Sequence, residues 1–305
     1  MTKSVSFLIS IELLVFSYQY MHSYLLFRWI HGINFRTVLL VENFSLQLHG
    51  WGEFLILGGA GFGSMMVGNA PGTLKRALRQ TLGLLKPNLF DEKAYGELLQ
   101  VLYAVFQMAR KDGLMGLEPH VENPASSTLF QRFPGFMHHA PAVALLCDTI
   151  KVLLAGAVED HHLADILEMD LEQQHHQAMA APLAITKTGD AMPGFGIVAA
   201  VLGVIITMGS IGGAASAIGE KVAAALVGTF LGILLSYGVF GPIAQAIEGR
   251  VASEHAYLLC IKTGLLAFAR GDSPVSAVEF ARRNIEPDDR PSFAALEALV
   301  RTKAA

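Results

Sequence analysis

Charge is what this 305-residue sequence is short of: Asp, Glu, Lys and Arg make up 16% of it, against roughly 25% in an ordinary soluble domain. Cysteine is nearly absent too. Cys147 and Cys260 stand far apart with no Cys-x-x-Cys, which excludes a disulfide framework and gives no zinc signature. A cationic excess is also missing. With 22 Lys and Arg against 26 Asp and Glu the formal net charge is −4, so nucleic-acid binding loses its electrostatic basis. No internal repeat or low-complexity tract is visible. What is there instead is apolar: 52% of the residues are hydrophobic and the mean hydropathy is +0.45. The length allows one large domain or two small ones. Composition points to a membrane protein.

The apolar residues are unevenly placed. Residues 191–219 hold no charged side chain across 29 positions, and residues 222–247 none across 26. A helix needs roughly 20 apolar residues to cross a bilayer core, so each run suffices. Only Glu220 and Lys221 separate the two, which predicts an antiparallel hairpin turning at that pair. A third uncharged run, residues 54–74, is just long enough to cross, and Asn69, Pro71 and Gly72 punctuate its exit. The front of the chain is less regular. Residues 5–29 are apolar and aromatic but carry Glu12, His22 and Arg28. They are too long for a signal peptide and read as a poor first spanning helix or an interfacial one. Residues 30–53 read as a loop or surface segment.

Most charges fall in residues 75–190 and 248–305. Helical spacing marks YGELLQVLYAVFQMARK at 95–111, and Ser292 is placed to cap a helix over 292–303. Period-two alternation is rare, so helices are expected throughout. Lys75, Arg76, Arg79, Arg250, Arg282 and Arg283 put both charged stretches on the cytoplasmic side. The expected fold is an all-α membrane protein with four transmembrane helices, the first atypical. Its segments are an N-terminal region (1–50), a second span (51–74), a large helical cytoplasmic segment (75–190), a spanning hairpin (191–247) and a cytoplasmic C-terminal tail (248–305).

Small residues recur one helical turn apart, at Gly59 and Gly63, Ser64 and Gly68, and Gly228 and Gly232. In lipid that spacing lets helix backbones approach closely. The GGAGFG stretch at 58–63 does not complete a Gly-x-Gly-x-x-Gly loop and sits inside a span. Pro193 and Pro242 each remove a backbone donor near the same end of the hairpin, producing a kink or a helix end. The hairpin's two uncharged runs contain no Asp, Glu, Lys, Arg or His; their inner polar residues are Thr207, Thr229, Ser236 and Tyr237. An ion pathway normally carries an ionisable group inside the membrane. A carboxylate from another chain is therefore required if ions pass here.

GDAMPGFGIVAAVLGV at 189–204 and ALVGTFLGILLSYGVFGPIA at 225–244 resemble the MotA family of flagellar motor stator proteins, within the MotA/TolQ/ExbB group. LILGGAGFGSMMVGN (55–69), ARKDGLMGLEPHVENP (109–124) and VEFARRNIEPDDRPSF (278–293) continue the resemblance from about residue 51 to the C-terminus. It implies an inner-membrane, multi-pass, non-enzymatic subunit without cofactor or catalytic residues. Its copies form a ring, understood as a pentamer, around a MotB-like partner anchored to peptidoglycan. That partner supplies the proton-accepting aspartate, and the ring turns the rotor through the switch protein FliG. Before residue 51 the resemblance breaks. A divergent first span, or a frame or start displaced upstream of residue 48, gives this pattern.

Carried over residue by residue, Pro193 and Pro242 match the prolines that couple ion flow to movement, and Thr229 the threonine of the ion path. Arg110 and Glu118 match the charges that meet the rotor. Sodium-type relatives place hydroxyls on spans three and four. Here those positions read Ala200 and Gly228, leaving Thr229 alone, so protons are expected. The adjacent pairs His138–His139, His161–His162 and His175–His176 lack the spacing of a zinc site, and no metal is expected. Rival readings are a TolQ/ExbB-like energiser of envelope processes and a membrane-embedded metalloenzyme; the long segment between spans two and three favours the stator.

Overall fold

A computed structural model describes residues 51–302 apart from 88, 157–159, 210–211 and 213–214. The chain divides into two units, residues 1–52 and 53–305. Except for the last two residues of the first unit, the expected first span and the loop after it lie outside the described residues. Everything described in the second unit is helix, turn or coil, with no strand among the described residues.

The first helix, α1 (Trp51–Gly68), is 18 residues long, or about 27 Å. It stops six residues before the uncharged run does. Ala70 sits at φ −63° and ψ 148° because the residue before a proline is driven out of the helical region, and Pro71 then opens α2 (Pro71–Gly83). Asn69 closes α1 by donating its side-chain amide to the Met65 carbonyl at 2.9 Å. On α2, Ala77 is buried while Leu78 and Leu82 face outward.

A bundle of amphipathic helices follows. In α3 (Glu92–Asp112), Asp91 caps the start by accepting from the Ala94 amide at 2.9 Å, and Gly113 ends it at φ 76°. The face Leu98, Leu102, Val105 and Phe106 is buried, which confirms the helical spacing of this stretch. Then come the short α4 (Glu118–Glu122) and α5 (Pro134–Met137), and α6 (Ala140–Leu154). The chain closes with α10 (Pro274–Arg283) and α11 (Phe293–Thr302). Ser292 does cap α11, its hydroxyl accepting from the Ala295 amide at 3.1 Å. The core of this bundle holds Phe106 stacked on Phe268 at 4.6 Å, with Leu163, Leu167, Leu171, Ile261 and Leu265 from two long helices.

Those long helices are α7 (Asp160–Met208) and the succession α8 (Ala215–Leu235), a π-helical turn (Ser236–Phe240) and α9 (Gly241–Ala269). With 49 residues, α7 spans about 74 Å, more than twice the roughly 30 Å of a hydrocarbon core. It therefore runs unbroken through residue 190, where composition changes. Two helices, His161–Met208 and Ala225–Ala269, are long and apolar enough to cross a membrane. Their apolar parts are mostly exposed: Ile197, Val201, Ile205 and Ile206 on one and Leu226, Phe230 and Ile233 on the other face outward. That all-round apolar surface is what lipid accepts and water does not.

The hairpin turn corrects the sequence expectation. It does not fall at Glu220 and Lys221, which lie within α8, but between Met208 and Ala215. Gly209, Gly212 and Gly213 gather there, and Gly212 adopts φ 113°, a conformation that side chains other than glycine's resist. Backbone freedom, and not the charged pair, sets the turn.

Candidate ion path and coupling site

Small residues draw α7 and α8 together. A Cβ on Gly232 would lie 2.6 Å from the Met192 carbonyl oxygen, one on Gly196 2.7 Å from the Gly228 carbonyl oxygen, and one on Gly203 2.7 Å from the Ala225 Cβ. The helices touch along about three turns of α7, from Met192 to Gly203, as small residues at helical spacing allow. The expected pair Gly228 and Gly232 thus packs, whereas Gly59, Gly63 and Gly68 of α1 meet nothing within 4 Å among the described residues. At the contact Gly61 abuts the Met192 side chain, so α1 joins the hairpin there.

Of the sequence-derived site residues, Ala200, Gly228 and Thr229 are brought together at this crossing. A Cβ on Gly228 would stand 3.1 Å from that of Ala199 and 3.6 Å from the Ala200 amide nitrogen; Gly228 is buried, Ala200 and Thr229 half-buried. The threonines differ in a telling way. Thr188 and Thr207 spend their hydroxyls on the carbonyls of Ala184 (2.8 Å) and Gly203 (2.7 Å). The Thr229 hydroxyl makes no hydrogen bond among the described residues and is free to meet a ligand or a partner's side chain.

Pro193 lies inside α7, not at its end. Its missing N–H leaves the Gly189 carbonyl without a helical donor. Gly189 itself faces Phe240 of the π-helical turn, and Pro242 follows two residues later at the start of α9. Both prolines therefore bear on one stretch of the hairpin. The π turn is closed by the Gly241 amide on the Ser236 carbonyl. Such widened turns favour bending and gather at functional sites.

Several features here escaped sequence reasoning. Pro182, also inside α7, frees the Ala178 carbonyl, and Gln80 of α2 offers its amide to that oxygen at 3.5 Å. Arg76 donates to the adjoining Gln177 carbonyl. Arg250 of α9 caps the other end of α2, donating to the carbonyls of Gly83 (2.5 Å), Leu84 (3.2 Å) and Lys86. Below them Lys262 pairs with Glu168, tying α9 to α7. A proline inside a polar-flanked helix was the available sign for the first; the others are long-range and left none.

Arg110 and Glu118 are not part of this crossing. Both are exposed in the helical bundle, Arg110 in the last turn of α3 and Glu118 at the start of α4, across the bend at Gly113. Neither makes an ion pair among the described residues. The histidine pairs separate into unrelated tasks. His139 accepts from the Ala142 amide at 3.3 Å to cap α6 and approaches Glu254 at 3.3 Å. His175 packs its ring, tilted by 50°, against His255 of α9 with centroids 4.6 Å apart. Among the described residues no group of three or more His, Cys, Asp or Glu could hold a metal ion. Cys147 and Cys260 are free and buried, and burial pushes their thiols up to about 11 and about 12.

The family model described as Motility protein A N-terminal matches residues 46–113, and that of the MotA/TolQ/ExbB proton channel family matches residues 139–258. The chemotaxis protein LafT of Vibrio parahaemolyticus is 33% identical over 245 residues, 80% of this chain and 86% of LafT. Motility protein A of Escherichia coli is 33% identical over 249 residues, 82% of this chain and 84% of the relative. The solved structure of C. jejuni MotAB shares the fold, with a TM-score of 0.66 at 19% identity over 85% of this chain and 94% of that one. With these matches, and with the exposed apolar hairpin and its two prolines in place, the chain belongs to the motility protein A branch of the MotA/TolQ/ExbB proton channel family, a flagellar stator protein.

Proposed function

We propose that this subunit works as a ring, a pentamer of its own copies, around a MotB-like partner, and that protons crossing the inner membrane past the partner's aspartate drive the ring against the rotor. The observation that carries this reading is a membrane-type hairpin with a free Thr229 hydroxyl but no Asp, Glu, Lys, Arg or His in its uncharged runs. Proton passage requires a titrating group, so a partner's carboxylate completes the path beside Thr229. The solved C. jejuni structure is of MotAB, which fits this division of labour.

Four spans, with residues 75–190 and 248–305 in the cytoplasm, satisfy the placement of Lys and Arg near the spans. α1 and the hairpin supply three and residues 1–50 the fourth. Ala200 and Gly228 offer no hydroxyl, and one threonine is a poor replacement for the water shell of sodium, which favours protons. Pro193 and Pro242 flank the Gly189–Phe240 contact, and both weaken the helices where a change at the aspartate would bend them. The long stems of α7 and α9 carry that bend to the bundle that displays Arg110 and Glu118. Charges in water act over about 8 Å at physiological salt, so that face closely approaches FliG.

Pro193→Ala restores the missing N–H and stiffens α7. The expected result is paralysed cells with assembled flagella and normal stator levels in the membrane. Normal swimming of that variant removes Pro193 from the coupling.

A further inference from the structure

Beside the proline-weakened turn of α7 lies a half-open cavity of about 250 Å³ lined by α2, α7 and α9, with Pro141 of α6 at its edge. Arg76 and Arg79 reach it from α2, His175 from α7 and His255 from α9. Arg79 is exposed and makes no ion pair among the described residues. Glu254 also lines the cavity, but its carboxylate is engaged by His139 at 3.3 Å. Two polar atoms of lining residues, His175 Nδ1 and Gln80 Oε1, are buried without a hydrogen-bond partner. One ring nitrogen that can donate, one amide oxygen that accepts and two guanidinium groups describe a site for a phosphate that carries a hydroxylated substituent.

Position narrows the ligand. Gly61 of α1 abuts Met192 near the start of the uncharged run of α7. Gly68 ends α1 seven residues further on, about 10 Å along the axis. α2 begins immediately beyond and meets α9 at Arg250, three residues past the uncharged run of residues 222–247, which on the topology proposed above is the headgroup level. Its outward face presents Leu78 (64% exposed) and Leu82 (58%), with Leu85 (86%) just past its end, the surface of a helix lying in a membrane interface. Lys75, Arg76 and Arg79 accompany that apolar stripe, as in segments that attract anionic leaflets.

We propose that this cavity holds the headgroup of an anionic glycerophospholipid of the cytoplasmic leaflet. The phosphate lies between Arg76, Arg79 and His175, a headgroup hydroxyl meets Gln80 Oε1, and the acyl chains run over Leu78 and Leu82. A bound lipid then braces α2 against the Pro182 turn of α7. The inference rests on the topology proposed above, which places α2 at the cytoplasmic surface.

The test uses the complex of this chain with its partner, delipidated in detergent and exposed to phosphatidylglycerol, phosphatidylcholine or inorganic phosphate, with retention read by native mass spectrometry. Phosphatidylglycerol is retained over phosphatidylcholine. Each cationic side chain near an anionic surface is worth roughly fivefold, so Arg79→Gln, which breaks no internal bond, weakens retention about fivefold and the Arg76→Gln/Arg79→Gln pair about 25-fold. Lys111→Gln, remote at the end of α3, changes net charge equally and leaves retention intact. Equal retention of both lipids, or no effect of Arg79→Gln, overturns the site; protection by inorganic phosphate as strong as by the lipid overturns the lipid assignment. Because both native cysteines are buried, a fluorophore on Leu82→Cys reports position separately, through quenching by brominated lipid. Quenching without a preference for phosphatidylglycerol defeats this inference alone, whereas an unquenched label defeats the topology and the inference with it.

Discussion

Gly189 faces Phe240 so closely that a Cβ on the glycine would stand 2.7 Å from the Cβ of the phenylalanine. The contact lies between the carbonyl that Pro193 leaves unpaired and the π turn that precedes Pro242. If movement of one helix is passed to the other, it passes here. Gly189→Ala forces the two elements apart, and inserting a methyl into a packed contact costs roughly 1–3 kcal/mol. Swimming should fall sharply at unchanged membrane levels of the protein. Phe240→Gly removes the opposing Cβ and should restore part of it. Independent, additive losses in the double variant would mean that the two residues do not communicate.

The α7–α8 seam gives a contrast within one sequence pattern. Gly232→Ala drives a Cβ to 2.6 Å from the Met192 carbonyl oxygen, while Gly59→Ala meets nothing within 4 Å among the described residues. The first should lower the thermal stability of the complex and abolish motility. The second should leave both intact, with a gain in α1 stability of up to about 1 kcal/mol from helix propensity. A Gly59→Ala defect as large as that of Gly232→Ala would show that α1 makes a close contact outside the described residues.

The His255 imidazole is held below its ordinary value, first by burial and then by the His175 ring packed against it. Arg76 and Arg79 of α2 and Glu254 of α9 line the same cavity. The folded protein thus prefers the neutral ring. The unfolded chain takes up a proton first as pH falls through about 6.5, so this contribution is complete above that pH and is lost below it. The melting temperature of the purified complex should drop between about pH 7.5 and 5.5, and His255→Asn should flatten that drop. An unchanged slope in the variant would assign the acid sensitivity elsewhere.

How much of this was legible in the sequence follows from what each residue type can announce locally. Exclusion of charge from residues 191–219 and 222–247 is a local pattern, and both runs became helices of membrane type. The turn between them was misplaced because Glu220 and Lys221 draw attention by charge, while Gly209 and Gly212 act by backbone freedom. Gly59–Gly63 and Gly228–Gly232 share one spacing, yet only the second has a close neighbour among the described residues, since spacing announces a surface and not its partner. Pro242 was readable as a break but not as the sequel of a π turn. His175 sits next to His176 in sequence, but its partner is His255, 80 positions away, a pairing that only the packing of α7 on α9 creates.

Arg110 and Glu118 stand exposed on either side of the Gly113 bend without ion pairs among the described residues, so their replacement costs the subunit little stability. Any functional loss is then a loss of contact. Arg110→Glu should reduce stall torque, measured on tethered cells, with normal stator recruitment in fresh low-salt medium. A reversed charge on the facing rotor surface should recover part of it. Full torque from the single reversal would remove electrostatics from this contact.

The identity of the ion turns on what the crossing can hold. A hydroxyl added at Ala200 enters a half-buried position, but one added at Gly228 must pass the Ala199 Cβ, 3.1 Å from where its own Cβ would sit, with the Gly196 carbonyl oxygen at 3.4 Å. Gly228→Ser therefore spreads the helices before it can offer an oxygen to sodium, and Thr229 is left as the uncommitted hydroxyl beside Ala200 and Gly228. Swimming speed of the wild type should follow the proton gradient and ignore replacement of sodium by potassium. Ala200→Ser with Gly228→Ser should slow swimming and confer no sodium requirement, because the second substitution opens the seam without building a cage. A wild type that stops without sodium would place the coordinating oxygens on the partner chain and leave Thr229 a minor ligand.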